Sequence, residues 1–169
     1  MAPVTHEARH RLVEAYERMI ERVHGLFQSS SPPRSTLAHW LGEAQERAVA
    51  LEELTREEAE RVGLYVKRDI QDAAHFLVET GEEIRQWWRF DLEMVEDRIL
   101  EKFAAMADQS SLQLRQINTP GNLTELYYSG EISAPGRMAC TACGKEVQFQ
   151  RTTEIPACPR CFSQEFRRV

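Results

Sequence analysis

Cys140, Cys143, Cys158 and Cys161 form two C-x-x-C pairs separated by 14 residues, and the first 139 residues contain no cysteine. Thiolates are soft metal ligands, and two residues between paired cysteines let the chain turn back so that both sulfurs aim at one ion. Two such turns complete a tetrahedron. The expected occupant is one structural Zn²⁺ held by all four cysteines, with Gly144 supplying the positive φ that the first turn requires. Four sulfurs close the coordination shell and leave no position for activated water or substrate, so the chain is read as a non-enzyme. Iron, alone or in a cluster, uses the same ligand set and is the competing occupant. Disulfides and redox catalysis fit less well, because disulfide frameworks are usually spread along a chain and neither pair lies between a strand and a helix.

The elements around the cysteines read as strands. Glu146 to Gln150 alternates apolar and polar residues, and Gln164 to Arg167 offers a second segment, so three or so short strands are expected. A module of residues 137–169 is too small to bury a core sufficient for folding alone. The metal's binding free energy then becomes its folding free energy.

Upstream, the dominant period is helical. From Thr5 to about Gln28, Leu12, Tyr16, Met19, Val23 and Leu26 form one apolar stripe, and Pro32-Pro33 then breaks the helix. Ser35 is the expected N-cap of a second helix with Leu37, Leu41, Ala44, Ala48 and Leu51 on one face. Thr55-Arg56-Glu57-Glu58 reads as a capping box opening a third helix, lined by Ala59, Val62, Val66, Ile70, Ala73 and Leu77, which Thr80-Gly81 ends or kinks. Ile84, Trp88, Leu92, Val95, Ile99, Phe103 and Met106 mark a fourth segment reaching about Asp108. The fold class is therefore mainly α, a long antiparallel helical hairpin or bundle followed by a small β zinc ribbon. It divides into helices over 1–108, a connector over 109–136 in which Leu126-Tyr127-Tyr128 offers a short strand, and the ribbon over 137–169.

Charge narrows the function. The chain carries a formal −6, yet residues 137–169 hold six basic side chains against Glu146, Glu154 and Glu165, leaving −9 for the rest. Four thiolates around Zn²⁺ contribute −2 and bring the ribbon to about +1, which argues against direct nucleic-acid binding. No apolar run approaches ~18 residues, and Met1-Ala-Pro-Val-Thr-His-Glu lacks a basic segment followed by an apolar one, so no membrane association and a cytoplasmic location are expected.

Other residues read as structural. His6, His10, His24, His39 and His75 lie far from the cysteines, and His6 and His10 lack a carboxylate partner that would make a second metal site. Ser29-Ser30-Ser31 and Ser110-Ser111 have no nucleophile context and read as linker or cap. Trp87, Phe90 and Met94 form a second apolar strip that either widens the core or faces a partner, with core favoured.

Leu54-Thr55-Arg56-Glu57-Glu58, Arg68-Asp69, Tyr128-Ser129-Gly130-Glu131 and the two cysteine pairs together resemble the YbeL-type family of small bacterial zinc-ribbon-containing proteins. That resemblance implies zinc binding and a cytoplasmic location. Phe162 departs from it, since such ribbons often place glycine after the last cysteine. The expected function is a non-catalytic interaction or regulatory factor with a protein partner, and helix pairing between chains would make it a homo-oligomer. The alternative is a nucleic-acid- or RNA-polymerase-associated ribbon factor, supported by an architectural likeness to factors that insert a coiled coil into the polymerase secondary channel.

Overall fold

The structure is a computed structural model that describes residues 6–29, 36–88, 98–117 and 126–169. Its helices are α1 (His6–Ser29), α2 (Leu37–Ala50), α3 (Arg56–Thr80), α4 (Ile84–Trp88) and α5 (Arg98–Ile117). The capping box is present, with the Thr55 amide donating to Glu58 at 3.0 Å and the Glu58 amide donating to the Thr55 hydroxyl at 3.2 Å. Two donors that would otherwise be orphaned start α3 at Arg56. Gly81 ends it, with its amide bonded to the Leu77 carbonyl. Thr36, rather than Ser35, caps α2, its hydroxyl accepting from the His39 amide at 3.4 Å. Ser35 lies outside the described residues.

The stripes bury as their spacing requires except at Leu51, which follows the last residue of α2 and is 63% exposed; Leu92 and Val95 lie outside the described residues. Tyr16, Met19, Ile20 and Val23 of α1, Leu41, Ala44 and Ala48 of α2, Val62, Val66, Ile70 and Ala73 of α3, and Phe103 and Met106 of α5 share one core. α3 packs against α1, α2 and α5, which makes the helices a bundle around α3. Among the described residues no helix is long and apolar enough to cross a membrane.

The β part is larger than its alternation suggests. Strands β1 (Leu126–Tyr128), β2 (Ile132–Ser133), β3 (Gly136–Cys140), β4 (Glu146–Phe149), β5 (Thr153–Glu154) and β6 (Glu165–Arg168) make two antiparallel sheets, ordered β1-β6-β3-β4 and β2-β5. Two strands, β1 and β2, fall within 109–136 and pair with β6 and β5 of the ribbon, while α5 continues past residue 108 to Ile117. Strands of two or three residues are too short to show a period, so pairing across the sheet defines them.

Trp87 belongs to the core. It is 3% exposed and stacks on Phe103 with ring centroids 5.3 Å apart. Phe90 and Met94 lie outside the described residues. Ser110 and Ser111 are neither linker nor cap but buried residues inside α5, where the Ser111 hydroxyl donates to the Asp108 carbonyl at 2.7 Å. A hydroxyl that bonds the preceding turn is tolerated within a helix, and residue type alone does not distinguish that from a cap.

Candidate metal centre

β3 delivers Cys140 to the first turn, and Cys158 opens a second turn that leads into β6. The turns have the same backbone pattern. The Gly144 amide donates to the Cys140 carbonyl at 2.9 Å and the Cys140 amide to the Lys145 carbonyl at 2.9 Å; the Phe162 amide donates to the Cys158 carbonyl and the Cys158 amide to the Ser163 carbonyl, each at 2.9 Å. Each turn needs a left-handed residue at its fourth step beyond the leading cysteine. Gly144 provides it at φ 71° and Phe162 at φ 60°.

The four sulfurs lie within 4.8 Å of one another. Across the turns, Cys140 and Cys161 are 3.6 Å apart and so are Cys143 and Cys158, too far for a disulfide. A tetrahedron with Zn–S bonds of ~2.3 Å has S···S edges of about 3.8 Å. Donor chemistry and spacing therefore both fit a tetrahedral thiolate site. Crowding drives the acidities of the thiols apart. Burial alone would raise Cys140, but the amides of Cys143 and Ala142 and the neighbouring thiols bring it down to about 6. The Ser163 amide lowers Cys161, yet the sulfurs of Cys143, Cys140 and Cys158 outweigh it and push that thiol up to about 12. A cation is what allows four crowded thiolates to coexist.

Phe162 is 79% exposed and so gains little packing in return for its left-handed backbone. Replacing Phe162 with glycine is expected to stabilise the metal-loaded ribbon by about 1 kcal/mol in urea unfolding. A loss of stability would show that the exposed ring makes contacts that outweigh the strain.

Behind the cysteines lies a buried polar network that joins the ribbon to the helices. Asp69 of α3 is fully buried and accepts from the Tyr16 hydroxyl at 2.6 Å and from the Ala134 amide at 2.7 Å. Arg68 pairs with Asp69 at 3.2 Å, with Glu131, and with the Ile132 carbonyl at 3.2 Å, and its guanidinium lies 3.9 Å from the Tyr127 ring. Arg168 of β6 reaches Asp72 of α3 at 3.2 Å, the Ser133 hydroxyl at 2.9 Å and the Pro135 carbonyl at 2.9 Å, and sits 4.0 Å from the Trp87 ring. It passes Gly136, where a Cβ would fall 1.9 Å from the guanidinium. Burial disfavours the charge on Arg168, but Tyr127, Asp69 and Asp72 more than restore it. For Asp72 burial wins over Arg168, and its carboxyl is pushed up.

Of these network residues, only Arg68-Asp69 and Glu131 stand among the motifs that carry the family resemblance, and no pattern of the chain assigns any of them a role in docking. The legible signal was an Arg-Asp pair on α3 between Val66 and Ile70, where the core face runs. Among the described residues the cysteines are the sole group of three or more metal-ligating side chains that converge. His10 pairs with Glu14 at 3.3 Å and is exposed.

A four-cysteine β module clamped onto a helical bundle is the architecture of a zinc-ribbon protein. The chain belongs to the family defined as the zinc-ribbon containing domain, which matches residues 25–169. It is 25% identical over 126 residues to the uncharacterized protein YbeL of Escherichia coli strain K12, spanning 75% of this chain and 78% of that one, and equally similar to YbeL of strains O6:H1 and O157:H7. No solved structure matches the chain.

Proposed function

We propose that this protein is a non-catalytic cytoplasmic factor that holds one structural Zn²⁺ through Cys140, Cys143, Cys158 and Cys161 and acts through a protein partner. The observation that carries the reading is the set of four converging sulfurs, all from one chain, at tetrahedral spacing. When bound, the ion cross-links the two turns. The residues around it position and order the ribbon rather than polarise a substrate, because four protein ligands fill the shell.

Native mass spectrometry of the purified chain is expected to find one zinc per protein, with the thiols resistant to alkylation until a chelator is added. Iron, or no metal, would overturn the assignment. The partner is sought by affinity purification of the full chain followed by mass spectrometry, with the Cys158→Ser variant as the control that should lose it. Duplex DNA is expected to bind no more tightly than about micromolar at physiological salt, given a formal charge of −6. Sub-micromolar, salt-dependent binding would favour the nucleic-acid reading instead.

A further inference from the structure

The cysteines and the helical bundle are linked by one short path. Cys140 of β3 pairs in register with Phe166 of β6, and Phe166 with Tyr127 of β1. The side chains of Cys140, Cys158, Phe166 and Tyr127 share one buried cluster. Tyr127 also faces the other way, its hydroxyl donating to Asp72 of α3 at 3.0 Å. Two residues beyond Phe166, Arg168 enters the same place, between Asp72, Ser133, Tyr127 and the Trp87 ring.

Strands of two to five residues do not persist in water without a further constraint, and here that constraint is the metal joining the end of β3 to the turn before β6. Lose it, and Phe166 and Arg168 lose the frame that seats them.

We propose that metal binding at the four cysteines and the docking of Arg168 and Tyr127 onto α3 are coupled, so that the ribbon is a metal-dependent latch on the helical bundle. The inference rests on the metal reading above. Loading seats Arg168 against Asp72 and Trp87; release of the ion frees β6 and uncovers that surface of α3 and α4, while the helical core, which contains none of the cysteines, stays packed. Coupling between two sites is reciprocal. A change on α3 that weakens docking must therefore weaken metal binding too, by at most the factor by which the metal strengthens docking, although Asp72 contacts no cysteine.

The test uses the full chain and zinc alone, with affinity measured by competition against a chromogenic chelator. Asp72→Asn keeps the shape of the side chain and removes its charge, and is expected to weaken zinc binding about tenfold. Glu60→Gln, at an exposed site on the same helix, should leave the affinity unchanged. Chelating the zinc should shift the Trp87 indole N–H resonance while that of Trp40, buried beside Phe27, stays in place. Should Asp72→Asn fail to fold, Tyr127→Phe removes only the hydroxyl and is expected to weaken zinc binding in the same direction. Zinc affinity within twofold of the parent in the folded variants, or a Trp87 resonance that ignores chelation, would overturn the latch and leave the metal centre standing. A chain that binds no zinc would overturn both.

Discussion

Cys158→Ser is expected to unfold the ribbon while leaving most of the helical circular dichroism intact. A structural tetrathiolate site contributes binding free energy on the order of 10–16 kcal/mol at neutral pH, and that energy is what folds a module of this size. Cys158 is fully buried, packs with Tyr127, Met138, Cys140, Ile155 and Phe166, and opens the second turn, so its loss removes both a ligand and part of the local core. The measurement is alkylation of Cys140, Cys143 and Cys161, which should become fast, alongside circular dichroism at 222 nm, which should fall only modestly. Acid should act in the same direction as the mutation, because protons compete with the metal for all four thiolates. Thiols that remain protected in the variant would show that packing, and not the metal, holds the ribbon.

The second large effect is expected at Asp69. Replacing it with alanine leaves the Tyr16 hydroxyl and the Ala134 amide without an acceptor and strips Arg68 of one buried counter-charge. Breaking a buried ion pair from one side costs about 3–5 kcal/mol, because an uncompensated charge stays in a low-dielectric site. Against a total stability of roughly 5–15 kcal/mol for a domain, that is a large fraction. Urea denaturation followed at 222 nm measures it directly. A change below about 1 kcal/mol would mean that water enters and replaces the lost partners, and the buried network would then have no claim to hold ribbon and helices together.

Much of this architecture is written locally in the chain. Thr55 and Glu58 stand three residues apart, and that spacing is enough to place the start of α3, because capping closes within one turn. Met19, Val62, Ile70 and Phe103 recur at helical spacing and bury for the same reason, since a stripe of apolar side chains has to leave water together. The cysteine spacing likewise names the candidate ligand set, as a C-x-x-C turn can aim both sulfurs one way without help from distant residues.

Other features are decided only by contacts between distant segments. Whether Trp87 covers the core or a partner depends on Phe103 and Arg168 arriving above it, from positions 16 and 81 residues away in the chain. The stripe of α3 places Asp69 on the core face and Glu60 off it, but nothing in the local pattern supplies the partners that a buried carboxylate at 69 requires. A carboxylate enters a core only where hydroxyl, amide and guanidinium donors converge on it, and those donors come from α1, from the segment after β2 and from Arg68. Phe162 shows the same division: the turn it occupies demands a left-handed residue whatever its type, and the second knuckle holds that geometry because the strands and sulfurs on either side of it set the path of the chain. The residue types thus determined the helices, the cap of α3 and the candidate metal ligands, whose geometry is local. The seat of Arg168 between Asp72 and Trp87 was left to tertiary structure, since a buried charge is tolerated only by partners that the fold itself brings together.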